Sequence, residues 1–274
     1  MTSDDLRADV KGIAASLRAY LEWHQDSGSE GFPRGARTLA AHAPVSAPAP
    51  APAHAPVSAP APVSAPAPAR DVTSPDLPDR LVRLPQLASE VASCTRCGLS
   101  SSRTQTVFAR GNPRASLCFV GEAPGAEEDA QGLPFVGRAG QLLDRMIAAM
   151  GLSPDQDVYI CNILKCRPPG NRRPEPSEMA TCIPYLHEQL ALVRPRAIVA
   201  LGNTAVAALL DTSVGITKLR GQWKLYRGQT LVMPTYHPSY LLRPSPQQIE
   251  AKRQAWQDLQ LVMKELGLNP RTTA

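Results

Sequence analysis

Between Ala40 and Ala69 the chain has no lysine, arginine, aspartate or glutamate. The same stretch carries nine prolines and thirteen alanines, so much of the 43% hydrophobic content is alanine that cannot build a core. Repeated Ala-Pro and Pro-Val-Ser units favour extended polyproline geometry, a semi-rigid spacer. The N-terminus lacks a basic segment leading into an apolar run. It opens Met-Thr-Ser-Asp-Asp, which argues against a secretory signal. Outside the proline-rich stretch no charge-free apolar run reaches membrane-spanning length, and the stretch itself cannot be a membrane helix. These absences predict a soluble, cytoplasmic chain.

What is there divides into three parts. Residues 1–37 form a head in which Leu6, Val10, Ile13, Leu17, Tyr20 and Leu21 recur at three- and four-residue spacings, predicting an amphipathic helix over Asp4 to His24. That helix is expected to dock on the main domain or on another protein. Residues 38–80 read as a disordered Ala/Pro-rich linker, and residues 81–268 as the main domain. Residues 1–93 hold 8 basic against 10 acidic side chains, a net of −2, and residues 94–274 hold 21 against 14, a net of +7. The basic excess in the main domain suggests a polyanionic partner.

Four short β-rich runs punctuate the domain, at Leu117 to Gly121, Val158 to Leu164, Ala197 to Leu201 and Thr230 to Pro234. Helical patterns alternate with them at Ala139 to Met150, Ser177 to Leu192, Thr204 to Leu210 and Gln247 to Leu266. Strands apolar along their whole length and separated by helices imply a parallel sheet covered on both faces. The expected fold is a three-layer α/β/α domain with a central four-stranded parallel sheet. In such sheets ligands bind at the carboxyl ends of the strands.

Those ends carry unusual residues. Gly121-Glu122-Ala123-Pro124-Gly125 follows the first strand, its glycines allowing tight turns near a ligand. Three consecutive acids at 127–129 argue against a nucleotide triphosphate cradle. Phe135 sits in a loop before a helix, Asn162 ends the second strand and His237 follows the fourth. A flat aromatic stacks on a base, and an amide offers one donor and one acceptor to a Watson–Crick edge. An imidazole can stabilise negative charge on a departing group, and a carboxylate can orient water or shield a developing cation. Singly, each residue has a plainer role in a core or a turn; their conjunction at strand ends is the signal.

All six cysteines lie beyond residue 93, which in a cytoplasmic chain suggests metal or cluster ligation before disulfides. Cys94 and Cys97 form C-x2-C, and Cys166 and Cys182 are separated by fifteen residues. Four thiolates from distant segments fit a four-iron cluster or a structural zinc, and spacing does not choose between them. Cys118 and Cys161, inside strand runs, are expected to be buried small hydrophobes.

Gly-Glu-Ala-Pro-Gly with Glu-Glu-Asp after it, Pro-Phe-Val-Gly-Arg-Ala-Gly, Asn-Ile-Leu-Lys-Cys-Arg-Pro-Pro and His-Pro-Ser-Tyr-Leu-Leu-Arg together resemble the family 4 uracil-DNA glycosylases. These are the iron–sulfur members of their superfamily. The likeness runs from about Leu87 to Leu266 in order and does not cover the first eighty residues or so. It implies a [4Fe-4S] cluster on Cys94, Cys97, Cys166 and Cys182. It implies hydrolysis of the N-glycosidic bond of flipped-out deoxyuridine, leaving an abasic site for base excision repair. Carried over residue by residue, Glu122 would position water and Ala123 would stand where another family of these enzymes has an Asp base. Phe135 would stack on uracil, Asn162 would pair with its N3 and O4 edge, Glu128 would exclude the thymine methyl, and His237 would bond O2.

Uracil-containing DNA, single- or double-stranded, is the implied partner, met by a monomer away from any membrane. Arg167, Arg172, Arg173 and Arg243, with Lys218, Arg220 and Lys224, are the expected phosphate contacts, about half of them simply solvated. Leu241 or Leu242 is the expected wedge into the duplex. Two rival readings remain. One is a uracil-binding relative trapped covalently on DNA through a loop histidine, although the loop from Arg167 to Pro174 has none. The other is a non-catalytic iron–sulfur module of a replication or repair complex.

Overall fold

The computed structural model describes residues 77–268. The amphipathic head and residues 38–76 of the expected Ala/Pro-rich linker lie outside the described residues. The chain enters on helix α1 (Leu77–Ala92), four residues before the boundary expected at 81.

The four predicted strands are present as β2 (Leu117–Gly121), β3 (Val158–Asn162), β4 (Ala197–Leu201) and β6 (Thr230–Thr235). They pair in parallel in the order β3-β2-β4-β6. The sheet is nevertheless six-stranded, which corrects the four-stranded expectation. A two-residue β1 (Arg110–Gly111) pairs antiparallel with β3, and a three-residue β5 (Lys224–Tyr226) pairs antiparallel with β6. Both protect an edge that would otherwise present unpaired backbone groups. Neither is long enough to carry an apolar pattern.

Alternation along the buried strands sends successive side chains to opposite faces. Leu117, Phe119, Ile160, Val199 and Met233 meet helices α3 (Arg138–Ala149) and α8 (Gln248–Leu266). Cys118, Val120, Cys161, Ile198 and Val232 meet α1, α4 (Pro176–Val193) and α5 (Gly202–Leu210). Three layers result, and Cys118 and Cys161 are fully buried in the second interface, as expected. Phe119 is completely buried, so truncating it to alanine would cost about 3–5 kcal/mol. Short helices α2 (Ala126–Gln131), α6 (Ile216–Leu219) and α7 (Pro238–Leu241) fill the loops after the strands. Among the described residues no helix is long and apolar enough to cross a membrane.

Candidate active site at the strand ends

The register of β2 on β3 sets Gly121 opposite Asn162. A β-carbon on Gly121 would lie 2.4 Å from both Asn162 Oδ1 and Phe135 Cζ. Glycine here is therefore a packing requirement: the amide and the aromatic edge both rest on its bare backbone. Asn162 is 1% exposed and its Oδ1 is buried without a partner. Buried acceptors normally find donors, so an unpaired one in a cavity wall is suited to a ligand N–H.

Phe135 is 5% exposed and adopts φ +56, a left-handed conformation unusual for an aromatic residue. Its loop is held from two sides. Glu128, in the first turn of α2, accepts from Gly125 N at 3.0 Å through one oxygen. Its other oxygen accepts from Val136 N at 3.0 Å and Gly137 N at 2.9 Å. Gly140 lets α3 pass directly beneath, since a β-carbon there would meet Phe135 O at 1.8 Å. Glu128 thus faces the cavity as the sequence implied, but its carboxylate is engaged with backbone amides.

His237 caps α7. Its Nδ1 accepts from Ser239 N at 3.1 Å and lies 2.8 Å from Ser239 Oγ. An accepting Nδ1 places the proton of a neutral imidazole on Nε2. Burial lowers the His237 pKa to about 4 against a small opposing pull from Glu128, so the ring is neutral at pH 7. Its centroid lies 5.7 Å from that of Phe135.

These groups share one cavity of about 360 Å³, lined by Glu122, Ala123, Glu128, Phe135, Asn162 and His237 among others. A wider groove of about 780 Å³ shares Glu122, Ala123 and His237 and runs on to Thr204, Tyr236 and Arg243. Ser239, Asn171 and Arg138 also line the cavity and were not singled out from the sequence. The serine after His-Pro was the readable signal for the first.

The basic residues separate into kinds. Arg173 and Arg243 are exposed beside the groove, with the Arg243 guanidinium 5.7 Å from the Tyr240 ring centre. Arg167 donates to Asn171 Oδ1 at 2.7 Å. Arg172 lines the cavity but is doubly bonded to Glu178, at 2.6 and 2.9 Å. Arg220 forks onto Asp258 at 2.6 and 3.1 Å and donates to Gln254 O at 2.6 Å, so it is structural rather than a free phosphate contact. Lys218 is exposed and Lys224 donates to Gln222 Oε1 at 3.2 Å. Leu241 corrects another expectation: it is 1% exposed and packed in the core, with no apolar tip to insert into DNA. Of the leucine pair, Leu242, half-buried at the end of α7, keeps that option.

Behind the cavity the four expected cysteines come together. Cys94, Cys97, Cys166 and Cys182 line one small cavity with Arg96, Arg103, Lys165 and Tyr185. Arg103 donates to Cys166 Sγ at 3.2 Å, and Lys165 N to Cys182 Sγ at 3.3 Å. Burial pushes the Cys182 thiol up to about 11 and raises Cys166. Among the described residues no group of three histidine, cysteine or carboxylate side chains is arranged to hold a single metal ion. Lys165 is 1% exposed; its Nζ donates to Asn162 O at 2.6 Å, and no carboxylate among the described residues pairs with it. Ala123 packs on the same cluster, so the cysteine nest and the cavity share a wall.

A parallel sheet with this residue set at its carboxyl ends matches one family model. Residues 108–260 match the description "Uracil DNA glycosylase superfamily", and the chain belongs to that superfamily. Within it the similarity falls on the type-4 branch. The chain is 49% identical over 162 residues to the type-4 uracil-DNA glycosylase of Thermotoga maritima, covering 58% of this chain and 84% of the relative. It is 44% identical over 167 residues to that of Sulfurisphaera tokodaii, with 58% and 76% covered. Against that of Saccharolobus solfataricus it is 40% identical over 197 residues, with 69% and 89% covered.

Proposed function

We propose that this chain is a uracil-DNA glycosylase of the type-4 kind, a hydrolase that cuts the N-glycosidic bond of deoxyuridine flipped out of DNA. The observation that carries the reading is the single cavity walled by the Phe135 ring, the Asn162 amide and the neutral His237 ring. Phe135 offers a face for the extruded base. Asn162 Oδ1, buried without a partner, suits the N3–H of uracil, and its amide N–H suits O4. Cytosine presents an acceptor at N3, so the same amide would leave buried groups unpaired at about 1–3 kcal/mol each.

His237 carries its proton on Nε2 and donates to uracil O2 as negative charge gathers on the leaving base. The bond electrons leave with uracil. Glu122 shelters the cationic sugar and orients the water whose oxygen joins C1′, and the water's proton balances the uracil anion. Ala123 supplies no base, so bond breaking runs ahead of water attack. Glu128 holds the stacking loop and blocks the space a thymine methyl needs. Arg173 and Arg243 contact phosphates along the groove, with Arg167 and Arg172 beside them, and Leu242 enters the stack.

The cysteine nest fits a [4Fe-4S] cluster. Its donors are thiols alone, and Lys165, buried beside them without a carboxylate, has its pKa lowered by burial while the neighbouring cysteines pull toward the charged form. Cys94, Cys97, Cys166 and Cys182 would hold the cluster, which would staple the start of the domain to its middle. The unit is residues 81–268 with α1, working as a cytoplasmic monomer, and the head is left for a protein partner. Incubation with uracil-containing single-stranded DNA followed by alkali tests the reading. Strand breaks in excess over protein support it; a stable adduct or intact DNA overturns it.

A further inference from the structure

Arg110 stands outside the cavity, on the edge strand β1, with its side chain 11% exposed. Its Nε donates to Pro134 O at 2.8 Å and its Nη2 to Phe135 O at 3.2 Å. The same guanidinium pairs with Asp144 on α3 and lies 3.9 Å from Asp155. Neither aspartate lines the cavity. The carbonyl side of the Phe135 loop is thus tied to β1 and α3, while Glu128 ties its amide side at Val136 and Gly137. Between the two ties Phe135 holds φ +56, a conformation that persists only where the surroundings over-determine it.

We propose that Arg110 is a positioning residue for base recognition, fixing the plane of the Phe135 ring as the stacking face of the cavity. This rests on the glycosylase reading and adds a residue that neither touches the base nor lines its pocket. The planar fork of arginine reaches two successive carbonyls and a carboxylate at once. A lysine ammonium, a point charge on a flexible stem, cannot hold all three in one plane. Freed on its carbonyl side, the loop relaxes toward ordinary backbone angles and the ring leaves its plane.

A double-mutant cycle tests this. Arg110→Lys should slow single-turnover excision about tenfold to a hundredfold, the scale of a small misplacement at a reacting centre. In a Phe135→Ala background the same change should alter the rate by less than about twofold, because the ring it positions is gone. Losses that multiply in the two backgrounds, or a folded Arg110→Lys protein excising at the parent rate, would overturn the proposal. Arg110→Ala that unfolds leaves Arg110→Lys to decide.

A second readout needs no activity. The chain has four phenylalanines, so fluorine-labelled phenylalanine gives resolvable signals. Arg110→Lys should shift or broaden the Phe135 signal and leave Phe108, on the opposite face of the sheet, unmoved. An unmoved Phe135 signal contradicts the proposal. A parent protein without excision would overturn the glycosylase reading, and the Phe135 signal would still decide the role of Arg110.

Discussion

The backbone N–H of Ser239 donates to Nδ1 of His237 at 3.1 Å, and this one bond decides what the imidazole can do. With Nδ1 occupied as an acceptor, a neutral ring carries its hydrogen on Nε2 and can act only as a donor there. The bond belongs to the backbone, so no side-chain substitution at 239 except proline removes it.

The pH dependence follows. Burial holds the His237 pKa at about 4, whereas an unperturbed histidine titrates near about 6.5. Because the folded value is depressed, the neutral ring favours folding above about 6.5, and that contribution fades as pH falls toward 4. Single-turnover excision should therefore show no His237-dependent loss between pH 8 and pH 5. A limb near pH 6.5 that disappears in a folded His237 variant would show the ring to be protonated in that range.

His237→Ala should slow the chemical step about a hundredfold to a thousandfold, the scale of one lost donor to a developing anion. Affinity for uracil-containing DNA should change little, since the arginines proposed to contact phosphates lie elsewhere. Rate and affinity falling together would mark His237 as a structural residue.

Gly121→Ala should damage the site without touching its chemistry. The added methyl meets Asn162 Oδ1 and Phe135 Cζ at 2.4 Å, so both must move. Excision is expected to fall at least about a hundredfold while the fold, followed by circular dichroism, persists. A folded Gly121→Ala protein of parent activity would mean that the amide and the ring need not sit where the structure has them.

Iron analysis separates the cysteines. Cys94→Ser should lose iron, and Cys118→Ser, buried in the sheet interface, should retain it. Lys165→Met should also weaken iron retention, because it removes the fully buried amino group beside the four cysteines. One zinc and no iron in the parent protein would contradict the cluster.

Deleting residues 1–76 should leave excision from short oligonucleotides nearly unchanged, since every cavity residue lies beyond the cut. A cut at 80 would also remove Arg80, whose Nη1 donates to Leu192 O at 3.1 Å. Loss of most activity from a folded 77–274 protein would place the head within the catalytic unit.

The long elements were legible because each repeats one signal many times. β2 and β4 fall where uniform apolar runs placed them, and α3, α4 and α8 follow the three-and-four spacing to within one residue at each end. β1 and β5 carry too few residues to show a period. The cavity residues were legible as types at strand ends, but their partners were not. Glu128 looked like a wall and is also a clip for three amides. Arg220 and Leu241 looked like DNA contacts, yet one is forked onto Asp258 and the other is sealed in the core. Ion pairing and burial come from residues far away in the chain, and no local pattern announces them.

Identifying the freed base shows whether this cavity reads uracil and releases it. DNA strands carrying uracil, cytosine or thymine at one position are incubated with the iron-loaded protein, and the small-molecule fraction is analysed by mass. Free uracil should appear over many turnovers from the first strand, with no base from the other two, and Asn162→Asp should abolish it. Cytosine or thymine released at comparable rates, or uracil DNA bound with no base released, would contradict the account.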